Sequence, residues 1–226
     1  MSEVYRIQKR RGLFDFNITL LLIILNVICF IAFTLLIYFK PNFLDYIALK
    51  PANIFNLYYF WTFLTSMFMH AGFFHIFANM ISLLFIGGIV ERILGKKRYF
   101  SFYLLAGLFA GIFFVLASFI LKTYFNFPGD FNTYAVGASG AIFGLIGLLM
   151  VLTPNLPVYI MFIPIPVKMK YAAPAMLISL WLISLLGNIP IGNTAHLGGF
   201  LIGIAYGFYL RKKYKNKTKY LNKVFS

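Results

Sequence analysis

Apolar runs of about twenty residues recur along this chain, divided by short segments that carry nearly all of its charge. They predict helices over residues 17–39, 74–94, 99–121, 136–153, 171–187 and 194–210, each near the ~20 residues that cross ~30 Å of hydrocarbon. Asn17 and Asn193 are placed to cap the first and sixth, and Pro154 to end the fourth. Residues 40–73 break the pattern, because Phe55, Tyr58, Tyr59, Phe60, Trp61 and Phe63 crowd into what would otherwise be a loop. Such a segment is expected to lie in the membrane interface with its rings at headgroup level. Residues 158–171 contain Pro164 and Pro166, so they read as an irregular connection rather than one helix.

Composition narrows the class. Hydrophobic residues make up 62% of the chain and charged ones 11%, whereas soluble domains are about a quarter charged. The expectation is an all-α membrane protein, a six-transmembrane-helix bundle with an interfacial loop between helices 1 and 2. A net charge of +15 would suggest nucleic acid in a soluble protein. Here the cations flank the spans, and with both termini cytoplasmic 17 of the 20 Lys and Arg fall on the inside. The positive-inside rule accounts for them without nucleic acid. The organisation expected is a basic cytoplasmic segment 1–16, a membrane domain 17–210 and a basic cytoplasmic tail 211–226, solvated or against lipid headgroups. The first span is long and lacks a small-residue cleavage site, so it reads as retained; the lone Cys29 permits no intrachain disulfide.

Polar groups in hydrocarbon are costly, so each one is a functional candidate. His70, His75 and Asn79 stand around the start of span 2, Ser139 in span 4 and His196 in span 6. The even-numbered spans all begin on the outer side, so these groups gather at one end. Ser139 precedes Pro154, and His196 precedes Arg211, by 15 residues. At 1.5 Å per residue both lie roughly 22 Å above the inner boundary, at matching depth. Gly140 and Gly144 on span 4, with Gly199, Gly203 and Gly207 on span 6, form small-residue ladders that let helix backbones approach closely. Each feature alone has a structural explanation: serine bonding its own i−4 carbonyl, glycine as a packing device, histidine as a helix bridge. Their coincidence at one depth favours chemistry.

Inspection removes some designs. His75 is followed by Ile76-Phe77-Ala78-Asn79, without the glutamate of a zinc metalloprotease helix. The acidic residues Glu3, Asp15, Asp45, Glu91 and Asp130 include none in the outer half of a span, so paired carboxylates are lacking. A three-histidine metal site from His70, His75 and His196 stays open. Serine chemistry with a histidine base has the best support, as a dyad with Phe143 offering its ring to the imidazole. Oxyanion donors could come from Asn79, His70, His75 and the Ser139 backbone.

The residues His70-x4-His75-x3-Asn79, Gly137-Ala138-Ser139-Gly140 and Ala195-His196-x2-Gly199-x3-Gly203 resemble the motifs of the rhomboid intramembrane serine proteases, over about Phe60 to Gly207. The resemblance implies a rhomboid-like six-helix core, Ser139 as nucleophile, His196 as general base, and His70 with Asn79 and the Ser139 backbone as the oxyanion site. His75, Phe143 and Gly137 would support the site, and Gly140, Gly144, Gly199 and Gly203 would pack its helices. It further implies no cofactor or metal, and cleavage of single-span transmembrane proteins near their outer ends. Span 5 and the loop 187–193 would form the substrate gate and cap. The family's first loop often carries Trp-Arg, whereas Trp61 here precedes Thr62. A prokaryotic inner membrane fits the composition. A module that captures transmembrane segments without cleaving them, and a hydrolase of lipid esters, are the rival functions.

Overall fold

The computed structural model describes residues 17–127, 129–159, 165–187 and 191–224. The basic segment 1–16, the middle of the 158–171 connection and the centre of the expected cap lie outside the described residues. The long helices are α1 (Ile18–Phe39), α2 (Phe73–Leu94), α3 (Lys96–Phe125), α4 (Ser139–Leu152), α5 (Met169–Gly187) and α6 (Asn193–Lys213), followed by a terminal α7 (Lys215–Val224). Of these, α1, α2, α3 and α5 are long and apolar enough to cross a membrane. Helix α4 has 14 residues and rises only about 21 Å. Twelve of its residues are buried, as expected of a helix that is apolar on every side. Helix α6 is long enough at 21 residues, but glycines and polar groups dilute its apolar character.

Packing around α4 sets the helix directions. A Cβ at Gly199 would land on the Gly140 carbonyl, one at Gly203 on the Gly144 carbonyl, and one at Gly207 would meet Val151. Helices α4 and α6 therefore run parallel with their backbones in contact. Gly140 faces Ala110 and Gly144 faces Ala106, so α3 runs antiparallel to both. Bare backbone on both partners permits this approach, since any side chain would hold the helices apart.

Asn17 caps α1 by accepting the Leu20 N–H at 3.3 Å. The buried Glu91 of α2 caps it as well, accepting the Ile18 and Thr19 backbone N–H groups at 2.9 Å and the Thr19 hydroxyl at 2.7 Å. This satisfies donors that a helix start leaves unpaired, and places negative charge at the positive end of the dipole. A π-helical turn, Leu83–Gly87, interrupts α2.

Residues 40–72 form short helical turns rather than an open loop. They key into α3: the Met67 side chain fills the notch at Gly107, while Phe63 and Leu49 fill the notch at Gly111. The Trp61 indole N–H donates to the Tyr46 carbonyl at 2.9 Å, and the buried Thr62 hydroxyl to the Tyr59 carbonyl at 2.7 Å. The 158–171 connection is flanked by a two-residue antiparallel pair, Pro157–Val158 with Val167–Lys168. Asn193, expected as a cap, is the first helical residue of α6; Gly192 takes the cap position and gives no side-chain bond. The tail is helical as α7, with the Thr218 hydroxyl bonding the Tyr214 and Lys215 carbonyls.

Candidate active site

Ser139 is the first residue of α4, reached through a turn that only glycine accommodates. Gly137 has φ +116°, and a Cβ there would stand 2.9 Å from the His75 ring. Its N–H donates to the Ser66 carbonyl at 2.8 Å, tying the turn to the 40–72 segment. Among the described residues no side chain caps the start of α4. Its first amides are thus free donors at the positive end of a helix dipole, beside the serine hydroxyl.

His196 lies in the first turn of α6 and is buried. Its Nε2 is 2.7 Å from the Ser139 Oγ. The Phe143 ring, one turn along α4, stacks on the imidazole with centroids 4.7 Å apart and planes at 25°. The glycine contacts explain this meeting, since α4 and α6 touch backbone to backbone immediately below it. The Nδ1 of His196 is buried without a hydrogen-bond partner among the described residues. Among the described residues no carboxylate bonds to the ring, which packs against Phe143.

His70, His75 and Asn79 approach from the other side. The Ala138 N–H donates to His70 Nε2 at 3.4 Å, so that nitrogen acts as an acceptor. Burial, with a smaller push from His75, brings His70 down to about 4, and a neutral ring suits that role. The His70 and His75 rings meet edge to face with centroids 5.2 Å apart. His75 Nδ1 accepts from the Ala71 N–H at 3.3 Å. The Asn79 amide donates to the His75 carbonyl at 2.8 Å, and its buried Oδ1 has no partner among the described residues. Among the described residues no three His, Cys, Asp or Glu side chains are grouped to hold a metal ion.

The sequence reading missed two features. One is the Ala138 amide as a partner for His70. Asp130, in the connection before α4, accepts from the Thr194 hydroxyl in the first turn of α6 at 3.1 Å. Burial pushes the Asp130 carboxyl up, and the Thr194 bond opposes that shift. Nothing in residue spacing signals a pair 64 positions apart.

A bundle of long apolar helices around a buried central helix defines an integral membrane protein, with a hydroxyl and an imidazole paired at one of its ends. The Rhomboid domain model matches residues 58–213, and the chain belongs to the rhomboid family. It is 37% identical over 164 residues to RHOMBOID-like protein 1 of Arabidopsis thaliana, an alignment covering 71% of this chain and 37% of that one. To Putative rhomboid protease YdcA of Bacillus subtilis (strain 168) it is 39% identical over 97 residues, 42% of this chain and 43% of the other. Inactive RHOMBOID-like protein 8 of Arabidopsis thaliana is 34% identical over 144 residues, 62% of this chain and 35% of its own length. The chain thus spans less than half the length of these relatives.

Proposed function

We propose that this protein is an intramembrane serine endopeptidase that cleaves single-span transmembrane proteins near the outer membrane face. The observation that carries the reading is the 2.7 Å approach of His196 Nε2 to the Ser139 Oγ inside a membrane bundle. His196 Nε2 takes the hydroxyl proton as Ser139 Oγ attacks the scissile carbonyl. The Ser139 N–H and the other free amides of the α4 start stabilise the oxyanion. His196 returns the proton to the departing amine, leaving an acyl ester on Ser139. Water, deprotonated by the same nitrogen, hydrolyses the ester. Asn79 and His70 serve the oxyanion too, His70 after releasing the Ala138 amide and moving its single ring proton from Nδ1 to Nε2 by a tautomer shift. His75 and Gly137 shape the turn.

The positive-inside distribution supports a site open to the outer side with both termini cytoplasmic, and the composition fits a prokaryotic inner membrane. Helical amides are shielded by their own hydrogen bonds, so substrates need helix-weakening Gly or Pro near the cut. Helix α5 forms the entry gate.

The test reconstitutes the protein in liposomes with a single-span substrate carrying glycines near one interface, and maps products by mass spectrometry. Cleavage by the wild type and none by Ser139→Ala supports the proposal, and leucine in place of the glycines should slow it. Equal cleavage by Ser139→Ala overturns it. Binding without cleavage by either form would identify a capture module, and lipid products a lipid-ester hydrolase.

A further inference from the structure

Helices α3 and α6 leave a groove between them at the end of the bundle opposite Ser139. Its volume is about 450 Å³, within the range of small-molecule sites. Lys97, Arg98 and Ser101 of α3 form its polar end; Leu105 and Phe109 continue along one wall, and Tyr206 of α6 forms part of the other. Phe102 and Tyr206 stack with centroids 4.6 Å apart and close the floor. Leu105 lines the groove and is 61% exposed.

Two properties set the occupant. The first is length: from Arg98 to Phe109 the helix rises about 16 Å, half of the ~30 Å hydrocarbon layer, so the groove spans one leaflet. The second is charge: Lys97 and Arg98 are exposed at its mouth, and Lys213 stands close by, over the Tyr209 and Tyr214 rings. The Arg98 guanidinium donates to the Tyr214 hydroxyl at 3.1 Å and lies 5.4 Å from that ring, which fixes its position at the rim. Glu91 is the acidic residue of the described chain nearest in sequence, and its carboxylate is committed to the α1 start. Lys97 has no protein partner among the described residues. A helix start, moreover, ordinarily favours negative side chains; that of α3 carries Lys96, Lys97 and Arg98.

We propose that this groove binds one anionic glycerophospholipid of the leaflet facing that end, with its phosphate between Lys97 and Arg98 and an acyl chain along Leu105, Phe109 and Tyr206. The inference is independent of the Ser139 chemistry. The test is native mass spectrometry of the full-length protein in detergent, titrated with phosphatidylglycerol or phosphatidylcholine. The wild type should retain one phosphatidylglycerol about tenfold or more tighter than phosphatidylcholine. Lys97→Gln/Arg98→Gln should weaken phosphatidylglycerol on the order of 30-fold and leave phosphatidylcholine unchanged. Leu105→Trp, which fills the groove from an exposed position, should weaken both lipids. As a control, Lys215→Gln/Lys219→Gln in α7 should retain wild-type affinity. Equal affinity for the two lipids, unchanged phosphatidylglycerol binding in either groove variant, or an equal loss in the α7 control overturns the proposal.

Discussion

Replacing Gly199 by alanine isolates the contact on which the hydroxyl and imidazole depend. The added Cβ would land on the Gly140 carbonyl, with the Gly140 carbonyl carbon 2.9 Å away. Carbon and oxygen rest at about 3.3 Å or more, and a backbone carbonyl cannot rotate aside, so α4 and α6 must part by about 1 Å. The stability cost of such overpacking is about 1–3 kcal/mol, offset by up to about 1 kcal/mol because alanine is the better helix former. The protein should therefore still fold. The 2.7 Å approach of His196 to Ser139 would exceed hydrogen-bond reach, and a misplacement near 1 Å costs on the order of 100-fold in rate. The assay is the labelling rate of Ser139 by a fluorophosphonate in detergent, with melting followed in parallel. Gly88→Ala is the control, since a Cβ there meets nothing within 4 Å. Gly207→Ala should fall between them, because it meets the Val151 side chain about two turns further from the site. Labelling of folded Gly199→Ala within twofold of wild type would refute the reasoning.

Other outcomes follow from the same contacts. Glu91→Ala strands three donors at the start of α1 and should cost on the order of 3 kcal/mol, roughly 6–12 °C in melting midpoint. Labelling at 20 °C, per folded molecule, should persist because Glu91 lies at the end away from the site. Asp130→Asn should show a pH signature. Burial raises the folded-state pKa of Asp130, so its favourable contribution is fully present below the ordinary value near 3.9 and is lost as pH rises through the folded value. The melting midpoint of the wild type should thus gain on that of Asp130→Asn as pH falls from 7 toward 4; a constant gap would contradict this.

Much of the frame was legible because it depends on patterns that spacing records. Apolar runs marked the long helices, Asn17 marked the first cap, and the glycines at four-residue intervals marked where α4 and α6 touch. Sequence is blind to partners that meet only after folding. Glu91 reads as an interfacial charge, yet it serves a helix start 72 positions away. Gly107 and Gly111 look like ordinary membrane-helix glycines until Met67, Phe63 and Leu49 fill their notches. The α7 tail, rich in lysine, lacks an apolar run and reads as a solvated or headgroup-binding end, with nothing in that pattern to signal its helix. The cap of α6 was misassigned by one residue, since Asn193 has the composition of a cap and Gly192 the position.

The most direct test of the central claim is whether Ser139 is a nucleophile that depends on His196. The full-length protein, in detergent or liposomes, is treated with a fluorophosphonate and the adduct is located by peptide mass spectrometry. The account predicts a single adduct on the Ser139 peptide, absent from Ser139→Ala and lost from His196→Ala while both variants stay folded. An adduct on another residue, or labelling of Ser139 that survives the removal of His196, would contradict it.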